Sequence, residues 1–471
     1  MADPARPRAA VVNLGCKVNR VESDWIESSL VDAGCTLVPE DRADLVVVNT
    51  CAVTGEAQAK TRKAVRRAAL QPGRPLVVVT GCTARLFPDE LAALAPNVTV
   101  CTDKQALVAQ ALETWSAGVW DAPLEPVGAA SGQAGPCAQK PCGEPAPAEG
   151  ADADAYAHGA GVPPEAPHAA FRARRGVKVQ DGCDNACTYC IVWRARGPVR
   201  SEPLDRIERQ VRRVLDEGAC EVVLSGINLG RFRACDGSGA EVGLAGLLDR
   251  VCAWGAPFVR VGSVEPPDLT DEVIEALARN AGRVAPHLHL PLQSGCDAVL
   301  ARMGRRYTAA QFAERVARAR AALPRISLST DVIVGFPGET DDDFEETLAF
   351  CAAMGFSKVH AFRYSARPDT PAAHMGGQVG AAAMRERSER LRDLGAALRA
   401  ADARARVGDV EQVLVERVDG QGRAFGTTAS YHDVVFEPGT HACAGAGLVR
   451  ARLTGVRPAA ALLEGRVEAV C

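Results

Sequence analysis

GVKVQDGCDNACTYC, residues 176–190, is the stretch whose reading decides the fold. A short β-branched run, GVKVQ (176–180), breaks at Gly182 and delivers Cys183, Cys187 and Cys190 within eight residues. Three thiolates that close in sequence can converge on one metal centre if the loop wraps around it. Zinc motifs favour paired cysteines with a fourth ligand at a distance, and no such ligand is obvious downstream. A 4Fe-4S cluster ordinarily takes four cysteines, so a set of three leaves one iron open to a substrate or cofactor. A zinc site, or cysteines that are merely buried, is the competing reading.

Downstream of this loop, strand-like runs alternate with helical stretches up to about Arg406. The runs are EVVLSGI (221–227), FVRVGSVE (258–265), HLHLPLQ (287–293), ISLSTDVIVGF (326–336) and KVHAFRY (358–364). Helical segments such as Leu204 to Asp216 and Ala309 to Ala322 separate them. With GVKVQ these make six candidate parallel strands, which suits a closed or partly closed βα barrel of TIM type; an open doubly wound sheet is the alternative. Barrel enzymes keep their chemistry at the carboxyl ends of strands. Ser225, Asn228, Glu265, Gln293 and Asp331 lie at or just beyond such ends and are candidate cofactor-binding residues. Polar residues there are also ordinary turn formers. The Gly-rich GFPGET (335–340) lacks the GK[ST] ending of a phosphate loop.

Upstream, from Ala9 to about Trp115, the pattern is the same on a smaller scale. AAVVNLGC, DLVVVNTC, PLVVVTGC and NVTVC are separated by helical stretches around Val21–Ala33, Glu56–Leu70 and Ala84–Ala95. Unbroken Val-rich runs between helices indicate a small open parallel sheet covered on both faces. All four end in cysteine; Cys16, Cys51 and Cys82 cap the three long Val-rich runs in the same placement, whereas Cys101 ends the short run NVTVC. Ligands of open parallel sheets gather beyond the carboxyl ends of the strands, so this repetition suggests a second three-cysteine metal site. Buried core cysteines are the bland reading of each one alone, and it is the reading given to Cys35 and Cys101.

Composition bounds the rest. At roughly 150 residues per domain, 471 residues suggest about three domains. We expect an α/β domain at 8–116, a linker at 117–170, the larger barrel at 171–406 and a small β module at 407–471. The linker is rich in Ala, Gly and Pro, and from 121 to 170 it carries seven carboxylates against one base, Lys140. Such a segment buries too little surface to offset its ordering entropy. Its Cys137, Cys142, His158 and His168 read as incidental. From Gly408, VEQVLVERV, ASYHDVVF and GLVRARLTGV resemble strands of a small antiparallel barrel. Seventeen cysteines are too few for a disulfide scaffold of this length. No apolar run approaches the ~18 residues of a membrane span, and MADPARPRAA lacks a signal-type segment. A cytoplasmic protein without a membrane partner is expected.

CxxxCxxC with Tyr189 before the last cysteine resembles the signature of the radical S-adenosylmethionine superfamily. A wider resemblance adds NLGCKVNRVES (13–23), VVNTCAVT (47–54), VVTGC (78–82), HLHLPLQSG (287–295) and DVIVGFPGET (331–340). Together these resemble the methylthiotransferase family of that superfamily, over nearly everything except 117–170. The segment Gly15-Cys16-Lys17-Val18-Asn19 with Glu22-Ser23 looks like the branch acting on N6-threonylcarbamoyladenosine in tRNA, the MtaB type. The resemblance implies two 4Fe-4S clusters, held by Cys183/Cys187/Cys190 and by Cys16/Cys51/Cys82, with S-adenosylmethionine bound at the first. It implies a C-terminal TRAM domain, a tRNA anticodon loop as partner, an electron donor and a sulfur source. It also implies transfer of a methylthio group to carbon 2 of the modified adenine at position 37. Trp193 stands where the family usually has proline.

For RNA, three basic groups stand out: Lys60, Arg62, Lys63, Arg66 and Arg67; Arg305 and Arg306; and the segment Arg385 to Arg406. Neutralising phosphates supplies most sequence-independent affinity, although a charge run is also an ordinary solvated face. Two alternatives stay open. One is a methylthiotransferase with another target, isopentenyladenosine in tRNA or a ribosomal-protein aspartate. The other is an RNA-binding protein whose clusters are structural or redox-sensing.

Overall fold

The structure, a computed structural model, describes residues 6–118, 173–438, 447–457 and 461–470. Cys137, Cys142, His158 and His168 of the expected linker lie outside the described residues. Among the described residues no helix is long and apolar enough to cross a membrane. The chain forms two compact units that interleave in sequence. One comprises Met1–Cys16, Trp25–Thr50 and Lys60–His168; the other comprises Lys17–Asp24, Cys51–Ala59 and Ala169–Cys471.

The first unit is built on β1 (Arg8–Asn13), β2 (Thr36–Leu37), β3 (Leu45–Thr50), β4 (Leu76–Gly81) and β5 (Val98–Val100), all parallel in the order β2-β1-β3-β4-β5. The unbroken valine runs explain themselves here. Val46, Val48, Val77 and Val79 enter one core, while Leu45, Val47, Leu76 and Val78 enter another, so both faces of the sheet are covered. The connecting helices are α1 (Lys17–Asp32), α2 (Gly55–Ala69), α3 (Cys82–Leu86), α4 (Pro88–Ala92) and α5 (Leu107–Ala117). The single helix expected around Ala84–Ala95 is two, because Phe87 leaves the helical region and Pro88 starts the second.

In the second unit, β6 (Arg174–Lys178) leads to a short pair, β7 (Gln180–Asp181) with β8 (Arg200–Ser201), and then to β9 (Glu221–Ser225). A second short pair, β10 (Ala234–Cys235) with β11 (Glu241–Val242), precedes β12 (Val259–Val261), β13 (His287–His289), β14 (Ser327–Val334) and β15 (Lys358–Arg363). Parallel pairing runs β6-β9-β12, crosses to β13 through a bridge between Ser263 and His289, and continues β13-β14-β15. Six parallel strands in one arc make a partial barrel. Its helices are α6 (Val192–Arg196), α7 (Leu204–Asp216), α8 (Leu244–Ala253), α9 (Asp271–Arg279), α10 (Asp297–Arg302), α11 (Ala309–Ala322), α12 (Asp341–Met354) and α13 (Ala381–Ala405). The runs expected at 258–265 and 287–293 are strand only over three residues each. Pro291, which has no N–H to donate, falls in the part that is not strand.

The C-terminal residues close a five-stranded barrel of β16 (Val410–Val418), β17 (Ala424–Thr428), β18 (Asp433–Phe436), β19 (Gly447–Arg457) and β20 (Leu462–Val470). Its pairings are antiparallel apart from β18 with β20, which is parallel. Val413 and Val415 point into this barrel, whereas Leu414 between them packs outward on Ala173, Phe258 and Ala285. Only the second half of ASYHDVVF is strand; its first half turns at Tyr431, which has φ +70°.

Candidate metal and cofactor centre

The loop after β7 is shaped by two residues in the left-handed region. Gly182 has φ +76°, and a Cβ there would stand 1.9 Å from the Pro198 carbonyl oxygen, so only glycine can precede Cys183. Ala186, before Cys187, has φ +50°, a strain of the kind stored at functional sites. The loop is pinned from several sides. Cys183 N–H donates to the Gly197 carbonyl at 3.1 Å, and Thr188 donates from its backbone to Met303 at 3.0 Å. Thr188 Oγ1 donates to Arg302 at 2.9 Å. Tyr189 is half-buried and edge-on to Phe336, with ring centres 6.3 Å apart.

Donors point at the sulfurs. Arg305 Nη1 lies 3.3 Å from Cys187 Sγ, and Val192 N–H lies 3.4 Å from Cys190 Sγ. Burial, reinforced by the neighbouring Cys187, pushes the Cys190 thiol up to about 12. Burial also raises Cys183, against a backbone hydrogen bond from Asn185. Crowded thiolates of this kind are disfavoured alone and stabilised by a shared cationic centre. The donor set, sulfur ringed by N–H groups, fits an iron-sulfur cluster, whose potential such hydrogen bonds tune.

Arg305 corrects one expectation. Its side chain is only 4% exposed and is paired with Glu265, so it presents nothing to a phosphate. The guanidinium also donates to Tyr307 Oη at 3.1 Å, and Tyr307 in turn donates to the Pro291 and Leu292 carbonyls at 2.8 Å. Glu265 is thereby fixed beside the cluster loop; burial raises its carboxyl and Arg305 opposes the rise. Arg306 is exposed and donates to the Asp184 carbonyl at 3.3 Å.

The other strand-end candidates divide into two groups. Ser225 and Asn228 are buried at the end of β9, where the Asn228 N–H donates to Gln180 Oε1 at 2.8 Å. The Asn228 carboxamide is buried within reach of Asp268, where it opposes the rise that burial gives that carboxyl, and the Trp193 indole N–H is buried without a hydrogen-bonding partner among the described residues. Gln293 has φ +68°, and its backbone exchanges hydrogen bonds with Asp331 and Ile333 at 2.8 and 2.9 Å. Asp331 Oδ2 faces His289 Nε2 at 3.3 Å. Burial opposes the Asp331 charge, yet His289, with His360 and Lys17 in range, holds the carboxyl below the usual range. Burial drives His360 down to about 3, against the pull of Asp331. His289, Asp331 and His360 bring their ligating atoms within 4.8 Å of one another, and Ser329 Oγ meets both His287 Nε2 and His289 Nδ1 at 3.0 Å. Neither histidine was singled out from sequence, although the alternation His287-Leu288-His289 puts both on the face opposite the core residue Leu288.

In the first sheet, register aligns Asn13 with Asn49 and Thr50 with Gly81. Cys16 follows β1 by three residues, Cys51 follows β3 directly, and Cys82 follows β4 directly. Each therefore leaves the carboxyl end of one of three adjacent parallel strands. Gly81 has φ +96°, and a Cβ would meet the Thr50 carbonyl oxygen at 2.4 Å. Cys51 and Cys82 are buried and Cys16 is half-buried.

A buried ion network was also missed. Glu22, on the first turns of α1, accepts from Lys178 at 2.8 Å and from Arg196 at 2.5 and 3.2 Å. Arg196 further donates to Asn19 at 2.8 Å, and Lys178 to Asp181 at 2.6 Å. These partners flank the cysteine loop on both sides. Of the basic groups, Lys60, Lys63, Arg66 and Arg67 on α2 are exposed. Arg67 is paired with Glu40 at 2.8 Å and Arg62 with Glu90 at 3.1 Å. In the segment 385–406, Arg387, Arg390, Arg399 and Arg406 are spent on Glu339, Glu345, Asp433 and Asp402, which weakens its reading as an RNA surface.

Comparison with known proteins agrees with this geometry. Residues 177–351 match the radical SAM superfamily, and residues 8–103 match the uncharacterized protein family UPF0004. A threonylcarbamoyladenosine tRNA methylthiotransferase MtaB of Thermotoga maritima is 34% identical, over 81% of this chain and 80% of its own. A tRNA-2-methylthio-N(6)-dimethylallyladenosine synthase of Novosphingobium aromaticivorans is also 34% identical, over 86% of each chain. The radical S-adenosylmethionine methyltransferase TsrM of Kitasatospora setae shares the fold. Its TM-score is 0.51 at 14% identity, covering 78% of this chain and 77% of that one.

Proposed function

The chain belongs to the radical S-adenosylmethionine methylthiotransferase family, and from that premise we propose that it transfers a methylthio group to carbon 2 of N6-threonylcarbamoyladenosine at position 37 of tRNA. The observation that supports the substrate is that relatives from Thermotoga maritima, Bacillus subtilis and Chlamydia pneumoniae, 33–34% identical over at least 80% of each chain, all bear the name of that activity. Membership implies a 4Fe-4S cluster and S-adenosylmethionine. Bound together they supply an electron and a 5′-deoxyadenosyl radical, the reagent a carbon inert to ordinary nucleophiles requires.

In this reading Cys183, Cys187 and Cys190 hold that cluster, with Arg305 and the Val192 N–H steadying the sulfurs. The buried Asn228 carboxamide at the end of β9 supports a polar ligand beside it, and Ser225, Glu265, Gln293 and Asp331 are the remaining candidates for binding S-adenosylmethionine. Cys16, Cys51 and Cys82 hold a second 4Fe-4S cluster where sulfur is delivered; their place at three adjacent strand ends supports this. The target base must be splayed from a loop, as in most sequence-specific RNA recognition. An external electron donor and a sulfur source complete the reaction.

Two variants test the assignment on reconstituted protein. Cys187→Ala should abolish deoxyadenosine release under reducing conditions, and retained release would overturn the radical assignment. Cys51→Ala should leave release intact and remove sulfur transfer; intact sulfur transfer would overturn the second cluster. Iron and sulfide analysis adds a separate readout, because about eight irons should fall to about four when Cys183, Cys187 and Cys190 are all alanine. The equal identity to the dimethylallyladenosine enzyme supports a second reading in which that base is the target. Parallel assays on RNAs carrying either base, and on the ribosomal-protein substrate, decide between them.

A further inference from the structure

Several cations of the second unit are already committed. Arg305 is held by Glu265, Arg196 and Lys178 by Glu22, and Arg260 by Glu221. Lys17 differs. It is exposed and makes no ion pair among the described residues. Its ammonium stands 5.2 Å from the centre of the Tyr431 ring. That ring is itself packed: it is buried, tilted by 34° against His287 with ring centres 4.5 Å apart, and backed by the Arg260 guanidinium at 4.7 Å. The charge of Lys17 is felt at Asp331 and His360 inside the barrel. Asp331 is already answered by His289 at 3.3 Å, so the ammonium keeps its three donors for something else. Lys17 is also the residue next to Cys16 in the chain.

We propose that Lys17 is the specificity-determining residue that reads the carboxylate of the N6-threonylcarbamoyl group, an inference that rests on the function proposed above. The chemistry is direct. In adenine, carbon 2 and the N6 nitrogen lie on the same edge, on either side of N1, so a base that offers carbon 2 for reaction carries its N6 substituent along that edge. A threonylcarbamoyl substituent ends in a carboxylate, whereas a dimethylallyl substituent has no charge and no acceptor. An exposed lysine beside the Tyr431 ring, with no ion pair among the described residues, favours the first and gains nothing from the second. Hydrogen bonds to charged groups are worth enough for about a 10- to 100-fold preference.

The test compares two synthetic anticodon stem-loop RNAs, one carrying threonylcarbamoyladenosine and one its threonyl methyl ester, with the holoenzyme. The wild type should prefer the acid by about 10- to 100-fold in kcat/KM. Lys17→Gln should reduce that ratio to within about threefold, and Lys17→Arg should restore most of it. Both substrates are read on one protein sample, so a poorly folded variant lowers both rates and leaves the ratio informative. Equal turnover of acid and ester by the wild type, or an undiminished ratio in Lys17→Gln, overturns the role of Lys17 and leaves the proposed function standing. Turnover of a dimethylallyladenosine RNA with none of either threonylcarbamoyl RNA overturns both.

Discussion

Replacing Glu22 with glutamine should loosen the start of α1 without unfolding the barrel. The Glu22 side chain is 6% exposed and takes hydrogen bonds from both Lys178 and Arg196, which are also poorly exposed. Removing one partner of a buried pair costs about 3–5 kcal/mol, because the remaining charges stay buried. Asp181 still faces Lys178 at 2.6 Å and Arg196 at 3.4 Å, which places Glu22→Gln at the lower end, about 3 kcal/mol. At 1.36 kcal/mol per factor of ten, local opening should become about 100-fold more frequent. Hydrogen exchange followed by mass spectrometry reads this directly. Peptides covering 17–24 should exchange about 100-fold faster, while the β14 peptide 327–334 stays protected. Less than a threefold change at 17–24 would refute the view that this network holds the segment.

Three further outcomes are expected. Gly182→Ala should lose about four irons on reconstitution, since its Cβ would enter the Pro198 carbonyl; a full iron complement would show that the loop can re-route. Burial opposes the Glu221 charge, but Arg174 and Arg260 pull its pKa down to about 2, against about 4.3 when unfolded. Its share of stability is therefore complete above about pH 4.3 and lost as pH falls toward 2, roughly 3 kcal/mol in all. In urea titrations of the cluster-free protein, the gap between wild type and Glu221→Gln should close by about that amount between pH 5 and 2; a constant gap would contradict it. Finally, exposed Lys63 and Arg66 fit a phosphate contact, so replacing both with alanine should flatten the log–log salt dependence of tRNA binding by about 1.4–1.8. An unchanged slope would move the RNA surface elsewhere.

The parts legible in sequence are those where local chemistry and tertiary role coincide. Cys183, Cys187 and Cys190 share one loop, and the valines of β3 and β4 announce a sheet with two covered faces. What sequence could not show is pairing at long range. MGRRY reads as a basic surface until Glu265, forty residues earlier, is seen to claim Arg305. Glu22 and Arg196 are 174 residues apart, and nothing local to either one marks the other. Tyr431 reads as a strand residue because Tyr and the Val-Val-Phe that follows it are strand formers; its positive φ comes from the turn that joins β17 to β18.

The division of α1 between the two compact units sets limits on recombination. Lys17–Asp24 belong by their contacts with the barrel, and Trp25 onward belongs with the small sheet. A chimera joined near residue 117 would transplant Asn19 and Glu22 from one parent while keeping Lys178, Asp181 and Arg196 from the other. A fragment ending there would take Lys178 and Arg196 away from Glu22. The unit that can be exchanged between relatives is thus discontinuous in sequence, and residues 17–24 must travel with the barrel they serve.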